Sequence, residues 1–120
     1  MKIVVLGCGR MGAGLAMALS FRRHTVTVVD VDPAAFQRLG GNFPGRTVRG
    51  SAVDRETLVA AGVERADGVA AVTATDEANE ICARMAMQAF RVPRVVARLY
   101  DPLKADMYRC LLYTSPSPRD

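Results

Sequence analysis

The feature that most constrains this chain is a glycine-rich turn set between a β-rich apolar run and a helix-forming stretch. Residues 1–30 read MKIVVLGCGRMGAGLAMALSFRRHTVTVVD, with Ile3 to Leu6 as the first run, Gly7, Gly9 and Gly12 as GxGxxG, and Asp30 closing the next run. Each type has a physical role in such a unit. Gly7 turns the backbone sharply out of the strand, Gly9 admits a diphosphate to the main chain, and Gly12 lets the helix lie close to the sheet. The helix then directs free N–H groups and its positive dipole end at phosphate. Asp30, at the carboxyl end of the second strand, is placed to accept hydrogen bonds from ribose hydroxyls. The strand-turn-helix-strand-acid context makes this a nucleotide-binding pattern rather than a bare glycine turn.

The acid also bears on which nucleotide. A 2′-phosphate would face the Asp30 carboxylate, and the neighbouring Val31 and Asp32 bring no arginine to receive it, so NADP is disfavoured. NAD(H), ATP and ADP all keep a free 2′-hydroxyl and remain open.

Beyond the turn, β-rich runs near 2–6, 25–30, 46–49, 68–72 and 94–98 alternate with helical stretches, the spacing of βαβ units. The expected fold is α/β, a Rossmann-like doubly wound parallel sheet with helices on both faces. Helices are expected at about 10–20, from Asp32-Pro33 to Gly40-Gly41, at 54–61 ending on Gly62, and at 76–90. Asp32 is read as a helix cap. The fourth helix is expected to bury Ala78, Ile81, Cys82, Met85, Ala86 and Ala89, with Glu80, Arg84, Gln88 and Arg91 opposite. Asp101-Pro102 opens a fifth helix running toward Arg109. After it, the Ser-Pro-Ser-Pro stretch supports neither helix nor strand, so 110–120 is expected to be a disordered, non-native tail on a truncated domain spanning 1–109.

With 120 residues, the chain has room for one core and no separate substrate domain. Half of it is hydrophobic, yet its longest apolar stretch, MGAGLAMAL, falls well short of a membrane span, and a strand starting at the N-terminus leaves no room for a secretory signal. A cytoplasmic location is expected. The net charge of +4 comes from arginines scattered among acids, with few aromatics, so nucleic acid is not an expected partner. Three cysteines without a CxxC give neither a disulfide framework nor a zinc site.

In an open parallel sheet, ligands collect at the carboxyl ends of the strands where strand order reverses. Gly7 to Gly12, Asp30, Gly50 to Asp54, Thr73 to Asp76 and Arg98 to Asp101 pass that filter, and the candidate ligand contacts are Gly7, Cys8, Gly9, Arg10, Met11, Gly12, Asp30, Val31, Ser51, Ala52, Thr73, Ala74 and Arg98. Arg10 either grips terminal phosphates or stands as a solvated helix-start arginine, and Thr73 or Thr75 is placed to cap the fourth helix or reach the ligand. His24 precedes its strand and fails the filter. Cys8 is expected to fill the turn rather than react, having no histidine beside it. No nucleophile, base and oxyanion set assembles, and no metal cluster.

GCGRMG with Asp30, VRGSAVDRETLVAAGVERADGVAAVTATDEAN and VPRVVARLYDP together resemble the N-terminal nucleotide-binding domain of Trk-type potassium-uptake regulators, the RCK or TrkA-N family. The resemblance covers about 1–109. It implies a cytoplasmic, non-catalytic regulatory subunit, peripheral at the inner face of the cell membrane, that forms homodimers and higher rings on a potassium channel or transporter and binds NAD(H), ATP or ADP. Under it, Gly7 to Gly12 match the phosphate turn, Asp30 the ribose acid, Thr73, Asp76 and Asn79 the segment after the fourth strand, and Arg98 the arginine closing the fifth. One departure is Ser51, which stands where the family usually has an acid near the adenine. The glycine turn by itself is also similar to that of 2-hydroxyacid-type and 6-phosphogluconate-type dehydrogenases, which leaves a truncated NAD-dependent dehydrogenase as the alternative.

Overall fold

The computed structural model describes residues 1–103. In chain order they form β1 (Lys2–Leu6), α1 (Arg10–Phe21), β2 (Thr25–Asp30), a 3-10 helix Pro33–Leu39, β3 (Arg46–Arg49), α2 (Arg55–Ala60), a 3-10 turn Val63–Arg65, β4 (Gly68–Ala71), α3 (Asp76–Gln88) and β5 (Arg94–Ala97). The five strands make one parallel sheet in the order β3-β2-β1-β4-β5. Chain order therefore reverses between β1 and β4, where Ile3 pairs with Gly68 and Leu6 with Ala71. The α/β, doubly wound expectation holds, with strand ends within a residue of those read from the sequence.

Alternation along the strands divides the core into two layers, because successive side chains leave a strand on opposite faces. Val4, Leu6, Val29 and Val69 turn toward α2 and α3 and pack with Leu58, Cys82, Ala83 and Ala86. Val5, Val26 and Val28 turn toward α1 and the 3-10 helix and pack with Ala13, Ala16, Ala35 and Leu39. Small residues on α1 make that layer thin. Gly12 shows the limit, since a Cβ there would lie 1.8 Å from the Gly7 carbonyl oxygen.

The helix ends follow their local chemistry. Asp32 accepts from the Ala34 amide and is followed by Pro33, as a cap should be, but the segment it opens winds as a 3-10 helix and stops at Gly40, φ +76°. Asp54 caps α2 through the Glu56 amide, and Gly62 at φ +84° provides the left-handed residue that ends it. Thr75, not Thr73, caps α3 by accepting from Ala78.

Two readings of α3 change. The helix buries Asp76, Asn79, Cys82, Ala83 and Ala86, while Ile81 is 50% exposed and Ala89 is exposed. The inward face is thus turned by about one residue from the all-apolar one, because hydrogen bonding draws Asn79 into the interior. The fifth helix begins as expected, with Pro102 and Leu103 helical and Asp101 accepting from the Leu103 amide. Its continuation toward Arg109, and the tail at 110–120, lie outside the described residues. Among the described residues, no helix is long and apolar enough to cross a membrane.

Candidate nucleotide cleft

The carboxyl ends of all five strands open onto one cleft of about 660 Å³, centred on the β1/β4 reversal. A volume of this size lies in the range of small-molecule and cofactor sites. Gly7, Cys8, Gly9, Arg10, Met11, Asp30, Val31, Ser51, Ala52, Thr73, Ala74 and Arg98 line it, as the strand-end filter anticipates. Gly12 does not line it; it sits one turn behind, buried against Gly7.

The three turn glycines are glycine for different reasons. Gly7 has φ +110°, and a Cβ on it would come within 2.7 Å of the Val72 carbonyl oxygen. Gly12 is required by the approach of α1 to the turn. Gly9, in contrast, would meet no protein atom within 4 Å. The space in front of it is open, so protein packing makes no demand for glycine there. Gly9 is also the N-cap of α1, with no side chain capping the helix and no acid in its first turn. The positive end of the helix is left facing the cleft.

Asp30 holds the turn from the β2 side. One carboxylate oxygen accepts from the Cys8 amide at 2.8 Å and the other from the Asp32 amide at 2.9 Å. A carboxylate oxygen has room for a further bond, so the acid can brace the turn and still accept from a ribose. Cys8 is fully buried and donates its S–H to the Ala35 carbonyl at 3.3 Å. Burial raises the thiol pKa, the Asp30 charge adds to the rise and the Arg38 charge opposes it, so Cys8 is a protonated filler of the turn.

On the other side, Asn79 ties the β4 and β5 ends together. It is 0% exposed; its Oδ1 accepts from the Thr73 amide at 2.7 Å and the Thr73 hydroxyl at 2.6 Å, while its Nδ2 donates to the Arg98 carbonyl at 2.7 Å. Asp76 completes the brace by accepting from the amides of Tyr100, at 2.6 Å, and Asp101, at 3.0 Å. The TDEAN and RLYDP segments, far apart in sequence, are thus hydrogen-bonded to one another. Arg98 itself reaches back across the reversal point. Its Nη1 donates to the Met11 sulfur at 2.9 Å, and its guanidinium lies 4.5 Å from the Tyr100 ring centroid.

His24 lies at the opposite edge, its Nδ1 accepting from the Met1 ammonium. Ser51 lines the cleft and accepts from the Val53 amide. Tyr100 lines the cleft from the loop after β5, within the Arg98 to Asp101 stretch that follows the fifth strand end. Arg38 is the charged lining residue that strand-end reasoning misses; it lies in the 3-10 helix and donates to the Cys8 carbonyl at 3.4 Å, whereas Val31 and Asp32, next to Asp30, offer no cation.

A parallel sheet that reverses at a glycine turn, with an acid closing the neighbouring strand, defines a Rossmann-like domain of the nucleotide-binding class. Comparison with known proteins narrows this. The TrkA-N domain family is matched over residues 3–114, and the chain belongs to that family. It is 50% identical over 111 residues to the Trk system potassium uptake protein TrkA of Streptomyces coelicolor, covering 92% of this chain and 50% of that protein. TrkA of Halomonas elongata is 40% identical over 99 residues, 82% of this chain and 22% of that one. The chain therefore spans half or less of the length of these curated relatives. Among solved structures, the AMP-bound Kef C-terminal domain of Shewanella denitrificans superposes with a TM-score of 0.76 at 25% identity, covering 96% of this chain and 69% of that one. The NAD-bound GsuK channel also gives 0.76, at 21% identity, over 91% of this chain and 20% of that one, a likeness of fold.

Proposed function

We propose that this domain is a non-catalytic nucleotide sensor that binds NAD(H), ATP or ADP in the cleft and regulates potassium transport through a membrane channel or transporter partner. The observation that carries the reading is Gly9. It is a glycine for which the protein has no packing use, set at an uncapped helix start and facing open space in a cleft with Arg10 and Arg98 on its rim. Diphosphate is the chemistry that such a position admits. Asp30 then takes the ribose, and Ser51 and Ala52 border the base. TrkA relatives and structural neighbours named for bound AMP and NAD support the same assignment.

The groups in the cleft are engaged in holding it together. Asp30 braces two amides, Cys8 is buried and protonated, and Thr73 is tied to Asn79. A sensor needs no more than differential binding: a ligand favouring one assembly conformation shifts the population of that conformation and with it the gate. Arg98 is suited to report occupancy. A thioether and a ring face are weak partners for a guanidinium beside charged phosphate, so a bound ligand draws it from Met11 and Tyr100. Tyr100 leads directly into the Asp101-Pro102 helix start, and thus toward whatever follows. In the full assembly we place homodimers, built into a ring, on the cytoplasmic face of the membrane.

Thermal unfolding of the chain with millimolar NAD, NADH, ATP, ADP or AMP tests this. A ligand at 100 times its dissociation constant stabilises by about 2.7 kcal/mol. A raised midpoint that Gly9→Val abolishes supports the reading; no shift with any of the five, in folded protein, refutes it.

A further inference from the structure

Arg38 stands in the wall of the cleft although its own backbone lies near the end of the 3-10 helix. Its Nη1 donates to the Cys8 carbonyl, while the Cys8 amide donates to Asp30. The guanidinium and the ribose acid are therefore held on the same residue of the glycine turn, one through its carbonyl and the other through its amide. The bond at 3.4 Å is long. A guanidinium carries five N–H donors in a planar fork, so most of them are left for a ligand. Arg38 is exposed, and among the described residues no carboxylate pairs with it.

The acids nearby are less opposed to an anion than the sequence suggests. Both Asp30 oxygens accept main-chain amides, and Asp32 accepts from Ala34. Each takes partial positive charge from the backbone at short range. Arg10 stands at the start of α1 and Arg98 reaches Met11, so both serve the diphosphate side of the turn. Arg38 is the cation on the ribose side.

We infer that Arg38 receives a phosphate on the ribose 2′ position, so that the cleft accepts NADP(H) as well as NAD(H). In this class of fold, an arginine near the ribose is the device that accommodates a 2′-phosphate, and here it stands together with the acid. Adjacency in sequence is not required; the 3-10 helix brings Arg38 back to the turn from eight residues beyond Asp30. The inference rests on the nucleotide reading of the cleft and names a ligand class that the Asp30 argument alone disfavours.

Calorimetric titration of the full chain with NAD and with NADP, at one fixed ionic strength, provides the test. The wild-type dissociation constant for NADP is expected within about tenfold of that for NAD. In Arg38→Gln, the affinity for NADP relative to NAD should fall about tenfold or more, the loss of one charge-assisted contact. Arg38→Lys keeps the charge without the fork and should fall between the two. An unchanged ratio in Arg38→Gln, from equal weakening of both ligands or of neither, overturns the inference and leaves the sensor standing. So does wild-type NADP binding more than about a hundredfold weaker than NAD. If neither dinucleotide nor any adenine nucleotide binds the folded chain, the sensor reading falls as well.

Discussion

Replacing Asn79 by alanine should cost far more than the loss of one polar side chain from a helix. Asn79 is 0% exposed and lies between the β4 end and the β5 end. Its removal leaves the Thr73 N–H and the Arg98 carbonyl without their 2.7 Å partners, and the Thr73 carbonyl without a 3.3 Å one. The Thr73 hydroxyl keeps the Thr75 carbonyl, and the Thr73 carbonyl keeps the Tyr100 hydroxyl, so those two groups are not orphaned. Two groups remain, each costing about 1–3 kcal/mol when buried without a partner. Both lie at the cleft edge, where water reaches part of the site, so the expected total is about 2–4 kcal/mol. For a domain of this size, that corresponds to a fall in melting temperature of roughly 10–20 °C. Urea unfolding followed by circular dichroism measures it directly. The m-value should hold while the midpoint drops. Asn79→Asp is the informative companion, since it keeps the acceptor but buries a charge and loses both donors, and it should be no better than alanine at neutral pH. A cost below about 0.5 kcal/mol for Asn79→Ala would show that water replaces the amide freely, and that the joint between the two strand ends is not what holds this half of the cleft.

Other consequences can be checked separately. Gly12→Ala puts a Cβ onto the Gly7 carbonyl oxygen, and should destabilise by about 3 kcal/mol or leave the chain unfolded in the same urea assay. Ser51→Asp puts an acid beside the proposed base subsite and should tighten NAD by about three- to tenfold, the range of one ordinary hydrogen bond; weaker binding in calorimetry would refute that placement of Ser51. Burial pushes the Cys82 thiol up to about 11 from an ordinary 9.0. Because the folded value is the higher, the thiol releases its proton more readily on unfolding. Its contribution is thus complete below pH 9.0 and is lost as pH rises toward about 11, at most about 2–3 kcal/mol. Comparing wild type with Cys82→Ala in urea melts at pH 8 and pH 10.5 isolates it, and a difference between the two proteins that stays constant with pH would contradict the burial argument.

Much of this architecture is legible in the residues because local signals and the global fold agree. Val and Ile runs, Asp-Pro starts and glycine stops each mark an element whose tertiary place matches its propensity. The cleft follows from them, since strand ends and the reversal point are consequences of βαβ chirality. What escapes is decided across the chain. Asn79 is polar and has no place among the apolar residues expected to form the inner face of α3, yet its bonds to Thr73 and Arg98 hold it inside while Ile81 is turned out. Arg38 gives no sign of approaching Cys8 until the 3-10 winding of its segment is known. The glycines of the turn, by contrast, take the separate places expected of them: Gly7 and Gly12 are hemmed in by backbone, and Gly9 meets open space.

The strand order also dictates when the cleft can exist during synthesis. β1 and β2 can pair as soon as residue 30 has emerged, but the β1/β4 seam joins Leu6 to Ala71, and Arg98 closes the rim only after β5. At about 5–20 residues added per second, the phosphate turn waits several seconds beside an unfilled strand edge. Throughout that interval, the apolar residues of β1 that later face β4 and α3 are uncovered. A nucleotide cannot shorten the wait, because its seat is assembled from both sides of the last seam to close. A nucleotide held in this cleft would therefore stabilise the finished domain and leave the half-made sheet to its own unpaired edge.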